Sequence, residues 1–227
     1  VNGQARPREA TLNTISEGAD PSHEETRITL TYGYSNGGET REELLAKRAI
    51  GYLTRDFSAI QPRFLDKQGN FLPGLLIQVV GQGILGDING DGRGSNNNLG
   101  ETLTGVIEKQ IFFIQNGREL LGHAVQERIA RNPAANAVKR VDIEWWAGTG
   151  PTAPAEDPLG MRSWLDAYDS RGRQMRFQMK TTETYDPSKD ARTTLIDSGR
   201  STRVSTLNWI AGPVILDEET MQPIRLP

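Results

Sequence analysis

Cysteine is absent from the 227 residues. That single absence removes disulfide frameworks, thiolate zinc sites, iron–sulfur ligation and cysteine nucleophiles, while leaving the redox compartment open. Histidine is nearly as scarce. His23 and His123 are the only two, too few for a histidine-rich metal centre. No apolar run approaches the roughly 20 residues that a membrane-spanning helix needs, so a soluble chain without a membrane span is expected. Clustered cations are also missing: 26 Lys and Arg against 29 Asp and Glu give a net charge of −3. A phosphate-binding face requires cations gathered together, so nucleic acid is not an expected partner. Arg171, Arg173 and Arg176 form the densest basic group and read as a solvated hairpin edge. There is no internal repeat and no Walker loop. "GQGILG" (81–86) keeps the spacing of a dinucleotide-binding loop, but Asp87 and Asp91 follow where a phosphate-binding helix should begin. They would repel an anionic cofactor.

A chain of this length can bury a core without disulfides or metals, and its patterning divides into four stretches. Residues 1–25 are polar and carry no apolar periodicity, which reads as an extended N-terminal arm; arms of this kind are ordered by what they lie against. Residues 26–146 form an α+β region. "RITLTYGY" (27–34), "GLLIQVVGQGIL" (74–85) and "IFFIQ" (111–115) read as strands. "TREELLAKRAIGYL" (40–53) reads as a helix, with Thr40 and Glu43 at capping-box spacing and an apolar stripe of Leu44, Leu45, Ala49, Tyr52 and Leu53. A second amphipathic helix is expected after Asn116-Gly117, carrying Leu120, Leu121, Ala124, Val125 and Ile129 and ending at Asn132-Pro133. Residues 147–160 are a Pro/Gly-rich loop or linker, and 161–227 are β-rich, with a hairpin turning near Ser170–Gly172. The expected fold is therefore α+β: two amphipathic helices on a mainly antiparallel sheet, with a β-rich C-terminal third.

The most distinctive local pattern is "GDINGDGRGSNN" (86–97). Asp87, Asn89 and Asp91 alternate and Gly92 follows, as an oxygen-lined cation loop requires. The stretch resembles the calcium loop of EF-hands and, more closely, of dockerin modules. That resemblance implies side-chain ligation by Asp87, Asn89 and Asp91, a backbone carbonyl from Arg93, and Ser95 directly or through water. The twelfth position is Asn98, where the family pattern has a bidentate acid, and Glu101 stands three residues later. With so few carboxylates, calcium would bind only where it is plentiful, which points to an extracellular or cell-surface location.

"GYSNG" (33–37) matches the G-x-S-x-G elbow of α/β-hydrolases, after an expected strand and before an expected helix. It would make Ser35 the nucleophile and requires a histidine beside it. Glu144, Asp157, Asp166, Asp169 and Asp186 could supply paired acids for glycoside chemistry, but spacing does not choose among them. Trp145 and Trp146 are neighbours on an expected strand, so one faces the core and the other faces away. Together with Trp164 they are candidate interface residues, or a stacking platform for sugar. No catalytic constellation emerges. The sequence points to a non-enzymatic structural subunit of an extracellular or virion assembly, a filament, layer or particle, stabilised by calcium and by contacts with copies of itself or with neighbouring subunits. The alternative is a calcium-assisted glycan-binding or glycan-processing module, and a serine hydrolase using Ser35 is the third.

Overall fold

Period-two alternation, not helical spacing, governs most of the chain. The computed structural model describes residues 6–17, 22–97, 99–115, 117–132, 137–148, 167–169, 172–186 and 201–210. Their strands are β1 (Glu9–Glu17), β2 (His23–Tyr34), β3 (Leu76–Leu85), β4 (Ser95–Asn96), β5 (Thr102–Gln115), β6 (Arg118–Asn132), β7 (Ala137–Ala147), β8 (Arg176–Asp186) and β9 (Ser201–Ile210). All belong to one antiparallel meander in the order β1-β2-β3-β5-β6-β7-β8-β9, with the short β4 between β2 and β5. β1 lies within the expected arm, and β2 straddles position 25.

The α+β expectation is overturned. Of the first expected helix, only α1 (Arg41–Ala46) forms. Its start follows the sequence: Thr40 Oγ1 accepts the Glu43 N–H at 3.2 Å, and Glu43 Oε2 accepts the Thr40 N–H at 2.8 Å. Its stop does not. Arg48 adopts φ 62°, Ala49 N–H bonds to Leu44 O at 2.8 Å and Arg48 N–H to Leu45 O at 3.0 Å, which is a Schellman termination with a non-glycine residue in the left-handed position. The Arg48 carbonyl is thereby free to accept Ile114 N–H from β5 at 3.0 Å. A 3-10 turn over Ile50–Tyr52 follows. The apolar stripe is still buried, but along a folded-back chain.

The second expected helix is strand β6. β5 and β6 form a hairpin whose pairing runs up to Gln115↔Arg118, with Gly117 at φ 74° in the turn. A register shift then separates the pairs Phe112↔Leu121 and Ile111↔His123. This bulge puts Leu121 and Ala124 on one face and Leu120, Val125 and Ile129 on the other. Because apolar groups are needed on both faces, their spacing imitates a helix.

The core lies at one end of the sheet, under the long connection between β2 and β3. Leu44, Ile50, Tyr52, Leu53, Phe57 and Phe71 from that connection pack with Leu30, Ile77, Val79, Phe113, Ile114, Ala147 and Ala167. Tyr52 meets Phe64 and Phe71 edge-on, with centroids 4.9 and 5.3 Å apart, and its hydroxyl donates to Leu76 O at 2.7 Å. Ring and hydroxyl are both satisfied. Elsewhere two glycines sit at close strand contacts. A methyl group at Gly83 would run into the Arg27 carbonyl, and one at Gly105 into that of Glu127, so only glycine permits this approach of neighbouring backbones.

Candidate functional site

The aspartate-rich loop is an excursion from a single strand slot. Leu85 of β3 faces Gly105, and Ser95 of β4 faces Leu103, so the chain leaves the sheet after Leu85 and rejoins it in the same direction two residues further along β5. What holds the excursion down is Glu25, at 1% exposure the most deeply buried acid described. Its Oε2 accepts the Ile88 N–H and the Asn89 side-chain amide, both at 3.2 Å, and His23 Nε2 lies 2.8 Å from its Oε1. Its N–H donates to Ser95 Oγ at 2.8 Å, and its carbonyl accepts Gly86 N–H at 3.1 Å. A buried carboxylate is tolerable only with partners of this kind. Next to it, Arg27 donates to Ile88 O at 2.6 Å.

The expected calcium ligands have other partners in this arrangement. Asp87 accepts Gly90 N–H at 2.7 Å and Gly92 N–H at 3.0 Å, one on each oxygen, and Asp91 accepts Arg93 N–H at 2.9 Å. Gly90 and Gly92 take φ 70° and 77°, which lets those amides turn inward. Asn89 is turned to Glu25, Ser95 is buried against it, and Glu101 accepts the Asn97 side-chain amide at 2.7 Å. Asn98 lies outside the described residues. Among those described, no three His, Asp or Glu side chains gather as a metal set. The loop in this form is a self-bonded turn, and an incoming cation would have to displace its amides.

Ser35 is buried with its hydroxyl donating to Leu72 O at 2.7 Å and accepting Leu75 N–H at 2.9 Å. Its backbone bonds to Leu75 and Gly74, closing the neck of the β2–β3 connection. Neither histidine is its partner: His23 sits on Glu25, and His123 Nε2 lies 3.4 Å from Glu144 Oε1.

The adjacent tryptophans separate as alternation requires. Trp145 packs against the core and stacks on Phe177, with centroids 6.0 Å apart. Trp146, on the opposite face, lies parallel to the His123 ring at 5.5 Å. Burial pushes the His123 imidazole below its ordinary pKa, against the pull of Glu144. The result is a flat aromatic pair beside a carboxylate. Trp164 falls outside the described residues, as do Asp157, Asp166 and Arg171. Asp169 is paired with Arg173 at 2.6 Å.

Two structural features are not legible in the sequence. Glu25 carries no local mark of burial, because the amides that hold it come from more than sixty positions away. Strand β1 hides in a polar stretch where only Leu12 and Ile15 are large and apolar. Both remain exposed, at 49% and 55%. Among the described residues no helix is long and apolar enough to cross a membrane. Comparison with family models, curated proteins and solved structures finds no match to this chain.

Proposed function

We propose that the chain is a non-enzymatic structural subunit that assembles with copies of itself through the edges of its sheet, in an extracellular or virion filament, layer or particle. The observation that carries this is β1. It is a nine-residue edge strand whose outer side has no partner among the described residues. Its interior, "ATLNTIS", holds no charge and no proline, the devices that normally blunt an edge. The bonding of Ser35 and of both histidines to structural partners supports a non-catalytic reading. Light scattering across a concentration series tests it. Wild type should grow in mass with concentration, while Leu12→Lys with Ile15→Lys should stay monomeric with an unchanged circular dichroism spectrum. A wild type that remains monomeric throughout would end this proposal.

A second reading rests on Trp146. Its pairing with His123 beside Glu144 is the kind of flat, partly polar surface on which a sugar ring stacks. Glycan binding by wild type that is lost in Trp146→Ala, with assembly unaffected, would establish it.

A further inference from the structure

The sheet has two ends, and they match each other. Among the described residues β1 and β9 are its edge strands, and since every neighbouring pair is antiparallel and eight strands lie on the path, the two edges run in opposite directions. A second copy in the same orientation therefore brings its β1 beside β9 with the alternation unbroken. The faces also carry through. The ladder from Leu12 passes Ile28, Gly83, Ile107, Gln126, Ile143 and Thr181 to Ser205, which puts Leu12 on the same face as Ser205 and, two residues on, Leu207.

Only pairings that keep each face continuous preserve the sheet. Among those, setting Leu12 against Leu207 engages all nine residues of β1 within Ser201–Ile210. The same register sets Ile15 against Val204 on the other face, and the polar positions Thr11, Asn13 and Thr14 against Asn208, Thr206 and Ser205. Like meets like through the middle of the strand, from Ala10 opposite Trp209 to Ile15 opposite Val204, the pattern that stabilises cross-strand neighbours; Glu9 meets Ile210 at one end. The rival two-fold arrangement, β1 on β1 at full overlap, sets Glu9 against Glu17 and both apolar residues against threonine.

We propose that the chain joins head to tail, β1 of one copy adding to β9 of the next with Leu12 opposite Leu207. This rests on the assembly reading above and names its operator. Such an interface is heterologous, so successive copies build a fibre wherever their rotation does not close a ring. The two-residue offset from Ser205 to Leu207 staggers each added copy by about 7 Å along the strands.

The absence of cysteine makes the test clean. Thr14→Cys and Ser205→Cys are prepared as separate full-length proteins, then mixed and oxidised; the proposed register sets these positions opposite, within disulfide reach. The expected product is a mixed disulfide dimer that neither protein forms alone. Asn13→Cys with Thr206→Cys repeats the test on the other face should the first pair disturb folding. A dimer of Thr14→Cys alone, or assembly without any cross-link, overturns the head-to-tail geometry and leaves the assembly reading standing. An intrachain bond in a monomeric double variant overturns it in favour of a closed barrel. Monomers at every concentration defeat both.

Discussion

Two excursions interrupt the meander, and they are stabilised in opposite ways. The connection between β2 and β3 carries Leu44, Ile50, Tyr52, Leu53, Phe57 and Phe71 and becomes half of the core. The 86–94 loop carries one buried apolar side chain, Ile88, and otherwise rests on hydrogen bonds to its own aspartates and to Glu25. Both begin from a strand end and return to the same sheet. Apolar content decides which becomes packing and which becomes a polar turn, since burial contributes only where there is apolar area to remove from water.

The hardest test of this contrast is Phe71→Ala. Phe71 is 1% exposed and fills the space between Tyr52 and the sheet, so the variant should lose about 3–5 kcal/mol in denaturant unfolding. A loss under about 1 kcal/mol would mean that the connection is ornament on the sheet and not core. Glu25→Ala should cost less, about 1–3 kcal/mol, by leaving the Ile88 N–H and the Asn89 amide without their acceptor. Hydrogen exchange should speed up in 86–94 and remain unchanged in 40–72. Equal acceleration in both would show that the two excursions unfold as one unit.

Strand β2 could be read from the alternation of Ile28, Leu30 and Tyr32, and β3 and the end of β5 from continuous apolar runs at 74–85 and 111–115. So could the start of α1, where Thr40 and Glu43 meet as a capping box. The helix expected after Asn116-Gly117 fails because Asn-Gly is the stronger local signal, a hairpin turn, and the apolar spacing beyond it serves both faces of a bulged strand. The early stop of α1 was illegible: Arg48 is held in a left-handed conformation by a tertiary demand from Ile114, which no local pattern records. Glu25 was illegible for the same reason. The spacing of Asp87 and Asp91 suits a cation cage and a set of Asx-type turns equally, since both use the same carboxylate oxygens.

Aspartates in the larger connection sharpen the comparison. Asp56 accepts the Thr54 hydroxyl at 2.6 Å, the Ser58 hydroxyl at 2.8 Å and the Ser58 N–H at 3.2 Å, and these bonds, the Thr54 hydroxyl foremost, hold its pKa down to about 2. Its folded value lies below that of the unfolded chain, so its contribution is present above the unfolded value, near 3.9, and fades as pH falls toward 2. An NMR titration should find the Asp56 carboxylate midpoint near 2. A midpoint at the ordinary value would mean that this turn is open in solution.

The smallest effect expected is that of calcium, and it bears directly on the second excursion. Two aspartates and no bidentate acid at Asn98 place any site in the class of extracellular loops with affinities of about 10⁻⁴ to 10⁻³ M. Calcium must also displace the amides of Gly90, Gly92 and Arg93 from their carboxylates. Across that range of affinities millimolar calcium stabilises by only about 0.4 to 1.4 kcal/mol, so it should raise the melting temperature by no more than a few degrees. A clear rise, abolished in Asp87→Ala with Asp91→Ala, would show that the loop trades its own amides for an ion. The polar excursion would then be a ligand-dependent element, set against a hydrophobic one that folds unaided.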